Sequence, residues 1–251
     1  IDTPGFSDFI GEVIGSVFVS ENVLSVVNAT AGVEIQTERT WSLANEMGKP
    51  ILVFVNQMDK ERANFDETLE SLRERFETKI VPIVYPIGKE SSFRGIVDLI
   101  SGKAYLYEDG KVREADVPAD LKDRVEEVKM SIMEDIVSLD DVLMDKYFAE
   151  EQITPDELIS ALRKGLVERQ IVPVLAGSAE KNIGIDFLLR KVIEIGASPL
   201  DARPYKANLD SGDQVEVSAS ETDPFVGYTF KAVVDPFVGK YFSREFIYTK
   251  V

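Results

Sequence analysis

The sequence predicts an α/β fold built on a mostly parallel sheet. Three observations carry this. Short apolar runs at 22–28, 51–55, 80–85 and 171–176 recur along the chain. They are continuous rather than alternating, which is how strands buried on both faces read. Amphipathic stretches lie between them, and strand–helix–strand units of this kind are right-handed. In such sheets ligands bind at the carboxyl ends of the strands, so the loops after Ile1, Val55 and Ala176 are where chemistry is expected.

The elements follow in order. Residues 22–28 (NVLSVVN) read as a buried strand, and Thr30, Ala31 and Gly32 as a loop. A helix is expected over 34–47, with Gly48 as its stop and Pro50 just beyond. Residues 51–55 (ILVFV) are β-branched and aromatic, hence a second strand. A polar amphipathic helix is expected over 66–77 with Asp66 as its cap, then a third strand over 80–85 between prolines.

From about residue 88 the pattern changes. Residues 97–107 and 111–115 read as short strands around a turn at Glu108, Asp109 and Gly110. One long helix is expected after Pro118, Ala119 and Asp120, with Leu121, Val125, Val128, Ile132, Ile136, Leu139, Val142 and Leu143 at helical spacing. Another opens at Thr154, where Pro155 suits the first turn and Glu157 completes a capping box. The stretch 88–167 holds 11 basic and 19 acidic residues and reads as an insert with its own small core. The first pattern then resumes with a strand at 171–176 (IVPVLA), a loop of Gly177, Ser178 and Ala179, and a helix over 184–195 ended by Gly196. Residues 201–223 are polar and linker-like, while 225–251 alternate as strands do but are too few to close a barrel.

Composition narrows the chemistry. The 251 residues are 44% hydrophobic, enough for a real core. There is no cysteine, which excludes disulfides, thiolate metal sites and cysteine nucleophiles. There is no histidine, so imidazole serves neither as base nor as metal ligand. With 28 Lys and Arg against 45 Asp and Glu, the formal charge of −17 repels phosphate and argues against sequence-blind DNA binding. No apolar run reaches the ~18 residues of a membrane span. Residue 1 is Ile, leading straight into a loop as if a strand ended there, so the chain is expected to be part of a longer protein.

Three loops after buried strands carry candidate chemistry. Asp2, Thr3, Pro4 and Gly5 form the first. An aspartate there can hold Mg²⁺, usually through water, and a glycine three residues on lets a backbone amide approach a terminal phosphate. Asn56, Gln57, Met58 and Asp59 form the second. A carboxylate in that loop can accept from the N1–H and 2-amino groups of guanine, while an asparagine can tie neighbouring loops together. Gly177, Ser178 and Ala179 form the third, with backbone amides able to donate to guanine O6. Each motif alone also reads as an ordinary turn or as small residues before a helix. Trp41 and the phenylalanines read as packing residues, and the adjacent acids Asp140 and Asp141 do not make a hydrolase dyad, since neighbours on a helix do not face each other.

In this order the three loops resemble the later motifs of a P-loop GTPase. The chain is similar almost end to end to the bacterial elongation factor G family. The matching stretches are 1–9 (IDTPGFSDF), 63–65 (ANF), 93–99 (FRGIVDL), 116–120 (DVPAD), 177–184 (GSAEKNIG), 198–201 (SPLD) and 230–240 (FKAVVDPFVGK). The resemblance implies a GTPase domain over 1–87 and 168–200, lacking its phosphate loop and first switch. It implies an acidic α+β insert over 88–167, and a linker and partial β-barrel domain over 201–251. It implies that Asp2 serves a magnesium site through water, that Gly5 meets the γ-phosphate, and that Asn56, Gln57 and Asp59 read guanine with Ser178 and Ala179 closing over the base. GTP or GDP and Mg²⁺ are the implied cofactors. The implied partner is the ribosome, with its stalk protein at the insert, for a cytoplasmic monomer that acts in translocation or a related step.

Two positions depart from the family. Phe6 stands where the family has the histidine that positions the attacking water, and phenylalanine cannot hydrogen-bond water. Gln57 replaces a lysine stacked over the base, which implies weaker nucleotide binding with guanine preference kept. Both suggest a divergent paralogue. The Gly-rich phosphate loop and the first switch segment would lie upstream of Ile1. Besides a ribosome-stimulated GTPase, the sequence leaves open a ribosome-protection or release-type factor, and a ribosome-binding protein that holds nucleotide as a switch without hydrolysis.

Overall fold

The computed structural model describes residues 1–108, 110–220, 222–223, 225–235 and 239–247. It forms two compact units, Ile1–Asn22 with Ala197–Val251, and Val23–Gly196. Asp109 of the expected turn, 236–238 of the stretch 230–240, and 248–251 lie outside the described residues.

The unit Val23–Gly196 holds a parallel sheet in the order β1-β2-β8-β3, formed by β1 (Val23–Asn28), β2 (Ile51–Asn56), β8 (Ile171–Ala176) and β3 (Lys79–Pro82). Every residue of β8, and β2 through Val55, is buried, as continuous apolar strands covered on both faces must be. The helices α2 (Ile35–Glu46) and α3 (Phe65–Arg75) make the crossovers. Trp41 of α2 is buried and stacks on Phe76 just past α3, ring centroids 3.7 Å apart.

A second, antiparallel sheet runs β4-β5-β6-β7 through β4 (Val84–Ile87), β5 (Gly95–Asp98), β6 (Lys103–Glu108) and β7 (Lys111–Ala115). The expected strand at 80–85 is therefore two strands in two sheets. Ile83 is the junction: its amide donates to Val174 O at 2.9 Å in the parallel sheet, and its carbonyl accepts from Leu99 N at 3.1 Å in the antiparallel one. Pro82, which has no amide to give, sits on an edge strand. The expected strand at 97–107 is also interrupted. Buried Asp98 accepts from Ile100 N at 2.9 Å and from the Ser101 hydroxyl at 2.7 Å, which turns the chain.

The helices α4 (Lys122–Val137), α5 (Asp141–Phe148) and α6 (Pro155–Val167) return the chain to β8, and α7 (Ile185–Ile195) closes the unit. The one long helix expected from apolar spacing is α4 and α5. Asp140 ends it by accepting from Val142 N and Leu143 N, a cap that starts a new helix. The capping box at Thr154 and Glu157 is present. At α3 the cap is Asn64, accepting from Glu67 N at 3.3 Å, rather than Asp66, whose carboxylate instead meets Tyr85 and Arg124. Ile136, Leu162, Leu166 and Ile171 are all 0% exposed, so these helices and the parallel sheet share one core.

The other unit contains a short 3-10 turn (Ser7–Phe9), α1 (Ile10–Val19) and two hairpins. The sequence reading has no element at α1. The polar stretch expected as linker forms a hairpin of β9 (Tyr205–Asn208) and β10 (Gln214–Val217). The second pairs β11 (Val226–Asp235) with β12 (Gly239–Ile247), with a register shift between Thr229 and Lys231. Phe18 of α1 meets Tyr205 and Tyr228, at 5.9 and 5.3 Å between centroids. The Asn22 side chain donates to Ala197 O and accepts from Ala197 N, both at 2.8 Å. Among the described residues no helix is long and apolar enough to cross a membrane.

Candidate functional site

Two of the three candidate loops lie side by side at the carboxyl edge of the parallel sheet. Register decides this: Asn56 ends β2 opposite Asn28 of β1, and Val55 pairs with Ala176, the last residue of β8. Backbone bonds then join the loops, Gly177 N to Val55 O at 2.9 Å and Met58 N to Gly177 O at 3.2 Å. Gly177 has no room for a side chain, since a Cβ would lie 2.4 Å from Ile183 O and 2.7 Å from the Phe54 ring. Gly184 closes the loop at φ +79°, with Ala176 O 2.8 Å from where a Cβ would sit.

Asn56 ties the two loops, its Oδ1 accepting from Ala179 N at 2.9 Å. Ser178 holds the 178–183 turn: its amide and carbonyl exchange bonds with Ile183 at 2.9 Å, and its hydroxyl accepts from Lys181 N at 3.1 Å. The amides of Gly177, Ser178 and Ala179 thus all have protein acceptors. For Ala179 N–H to donate to a ligand it must exchange Asn56 Oδ1 for the ligand's oxygen. Gln57 has φ +65°, a left-handed backbone that costs a non-glycine residue about 1–3 kcal/mol and collects at functional sites.

Asp59 is the unusual group. Its side chain is only 5% exposed, and its Oδ1 is buried with no hydrogen-bond partner. Burial pushes the carboxyl up, but the Ser178 hydroxyl, its own backbone amide, Lys60 and Lys181 outweigh this and hold it below the usual carboxylate range. It is an ionised acceptor with an unused lone pair, a state that normally carries a cost of about 1–3 kcal/mol or more. Sequence reasoning missed Lys60 and Glu180. They join the two loops from outside at 2.6 Å, and Lys60 also stands 3.7 Å from Asp59. The bond to Glu180 raises the Lys60 ammonium above its ordinary value.

Asp2, Gly5 and Phe6 belong to the unit of Ile1–Asn22 and are described within it. Asp2 and Gly5 are exposed, and among the described residues nothing beyond its chain neighbours lies within 4 Å of a Cβ built on Gly5. Phe6 is 78% exposed and its carbonyl accepts from Phe9 N at 3.0 Å, opening the 3-10 turn. Among the described residues no three His, Cys, Asp or Glu side chains gather as a metal cluster. A lone aspartate fits a Mg²⁺ ion that keeps its waters and takes other ligands from a phosphate, not an all-protein cage.

Known proteins resemble this chain. The family model of the elongation factor Tu GTP binding domain matches residues 1–198. An elongation factor G-like protein of Thermotoga maritima is 56% identical over 240 residues, covering 96% of this chain and 35% of that protein. Elongation factor G of Mycoplasma pneumoniae is 42% identical over 243 residues, again covering 96% of this chain and 35% of that protein. A crystal structure from Thermus thermophilus superposes with a TM-score of 0.83 at 32% identity, covering 98% of this chain and 34% of that one. The chain thus spans about a third of the length of the curated relatives it matches. It belongs to the elongation factor Tu GTP-binding-domain family, and its resemblance to elongation factor G is borne out by the relatives it matches.

Proposed function

We propose that this chain is the guanine-reading part of an elongation factor G-like GTPase that works on the ribosome, in translocation or a related step. The observation that carries the reading is Asp59: a buried, ionised carboxylate with an orphaned oxygen at the carboxyl edge of a parallel sheet. Guanine offers two adjacent donors, N1–H and the 2-amino group, to such an acceptor, whereas adenine offers neither. A base that leaves this charge unpaired is rejected by far more than a missing methylene would cost.

The remaining roles are assigned on the same reading. Asn56 holds the 177–184 loop over the base, and Ala179 is the amide that turns toward O6 when Asn56 releases it. Ser178 orients Asp59. Gln57 covers the base with an uncharged stem. In the same reading Asp2 holds Mg²⁺ through water and Gly5 lets the backbone approach the γ-phosphate. The GTPase portion comprises 1–87 and 168–200, the insert 88–167, and the start of a β-barrel domain 201–251, whose first part is the β9–β10 hairpin and not a bare linker. The ribosome is the partner, with the stalk protein at the insert, and the compartment is the cytoplasm. Phe6 favours a second reading, a nucleotide-holding switch with weak hydrolysis, because an exposed phenyl ring gives water no hydrogen bond.

The test is nucleotide competition with the full-length protein. Labelled GDP should be displaced by GTP and not by ATP, even with Gln57 weakening all binding. Asp59→Asn presents one acceptor and one donor, so it should lose about 10- to 100-fold in GDP affinity and gain xanthosine diphosphate, whose 2-carbonyl matches the new donor. Equal displacement by ATP and GTP overturns the guanine reading.

A further inference from the structure

We propose that the antiparallel sheet β4–β7 is a clamp that positions both base-reading loops, acting through Glu90 on the loop of Asp59 and through Tyr107 on the loop of Ala179. The inference rests on the guanine reading above but concerns residues which that reading does not use.

Two separate contacts carry it. Between β4 and β5, the Glu90 amide donates to Met58 O at 3.0 Å, and its carboxylate accepts from Arg62 N at 2.8 Å. One residue of the 3-10 turn Glu90–Ser92, which links β4 to β5, thereby grips the 57–62 loop on both sides of Asp59. Glu90 and Arg62 have φ of +53° and +67°, and with Gln57 they make three non-glycine residues in the left-handed region around this junction. Such conformations persist only where surrounding bonds over-determine them. The turn that presents Glu90 is itself fixed: Gly88 has φ +78°, and a Cβ there would lie 2.2 Å from Ser92 O.

On β6, the Tyr107 hydroxyl donates to Asp186 Oδ1 at 2.5 Å. Asp186 is in the first turn of α7, directly after Gly184 ends the 177–184 loop. Burial first, and then Asp186, raise the phenol well above its ordinary value, so it stays a donor. The contact is backed by packing. Tyr105, two residues earlier on the same face, meets buried Phe187 of α7 at 5.8 Å, and Arg190 lies over both rings while reaching Asp186 at 3.7 Å. The Tyr107 amide donates to Arg94 O at 2.9 Å and the Arg94 amide to Ile87 O at 3.1 Å, so the two grips are joined through β4, β5 and β6.

A sheet that grips both loops controls how fast they part. Displacing it loosens Asp59 and Ala179 together, whereas losing one grip loosens one loop. Glu90 and Tyr107 are positioning residues, since neither belongs to the base-reading set.

The experiment uses the full-length protein with Tyr107→Phe, which removes only a hydroxyl, Glu90→Ala, and the two combined. Dissociation of fluorescently labelled GDP should speed up about threefold to tenfold in each single variant, and more than either in the double, each lost bond being a modest net interaction. Glu90→Gln keeps an acceptor for Arg62 N–H and should restore the wild-type rate. Hydrogen exchange without nucleotide gives a second readout: amides of 57–62 should exchange faster in Glu90→Ala, and those of 178–184 in Tyr107→Phe, with the melting transition little changed. Unaltered GDP dissociation and unaltered exchange in both loops would overturn the clamp. If the wild-type protein fails to bind GDP, the guanine reading falls, and loop exchange alone decides whether the sheet positions these loops.

Discussion

Phe6 and Gly184 show how much rests on a single residue. On the proposed reading Phe6 takes the place of a water-positioning histidine; its ring neither donates nor accepts, and it is largely exposed. A positioned acid–base group is worth about 10²- to 10⁴-fold in rate. Ribosome-stimulated, single-turnover GTP hydrolysis by the full-length protein should therefore be slow, and Phe6→His should recover a large part of that factor. A substitution that leaves the rate unchanged would mean another group positions the water. Gly184 tests the loop rather than the chemistry. With φ +79° and a backbone carbonyl in the way, Gly184→Ala should cost about 1–3 kcal/mol in denaturant melts and weaken GDP binding, because the strain falls on the loop that bears Ala179. That the loops of Asn56 and Asp59 and of Ser178 and Ala179 share one sheet edge was legible, because each loop follows an apolar buried strand, while the roles given to these residues came from the family resemblance. Glu90 and Tyr107 were not legible, because their partners are 28 and 79 residues away and only the fold brings them together.

Secondary-structure elements were legible where local rules acted alone. The continuous apolar strands β2 and β8 and the capping box of α6 are set by nearest neighbours, and the structure has them. Three of the misreadings share one cause, a side chain or single residue that redirects the backbone without interrupting apolar spacing. Asp140 splits the long helix, Asp98 turns the strand, and Ile83 changes sheets. At α6 the capping box leads to a pH prediction. The Lys146 ammonium, then the Thr154 amide and hydroxyl, hold the Glu157 carboxyl at about 2, against an ordinary value of 4.5. A carboxyl depressed on folding stabilises the fold fully above its unfolded value and loses that contribution as pH falls toward the folded one. Wild type should therefore melt above Glu157→Gln at neutral pH, and the gap should shrink from about pH 4.5 downward. A gap that holds constant down to about pH 3 would mean that Glu157 acts through packing and not through charge.

At the scale of the whole molecule, charge sets which phosphates this protein meets. The chain carries a formal −17, and several of its cations are paired: Lys79 with Asp135, Lys103 with Glu114, Arg124 with Asp66 and Glu127, and Lys164 with Asp140. Duplex DNA is held mainly by neutralising its backbone with clustered Lys and Arg, and paired cations in an acidic field do not supply that. A mononucleotide needs much less. Lys60 and Lys181 lie close enough to Asp59 to act on its charge, and on the guanine reading shape and hydrogen bonds choose the base. The prediction is a dissociation between the two kinds of phosphate. By fluorescence anisotropy at roughly 0.1 M salt, a labelled random duplex should stay free of a preparation of residues 1–251 up to protein concentrations near 10⁻⁴ M, the weak limit of ordinary non-specific binding, while labelled GDP binds the full-length protein. Lowering the salt should not rescue duplex binding, because the long-range term is repulsive and strengthens as screening falls. Salt-sensitive duplex binding in the micromolar range would reveal a continuous basic face, and the net charge would then no longer describe the surface that a polyanion meets.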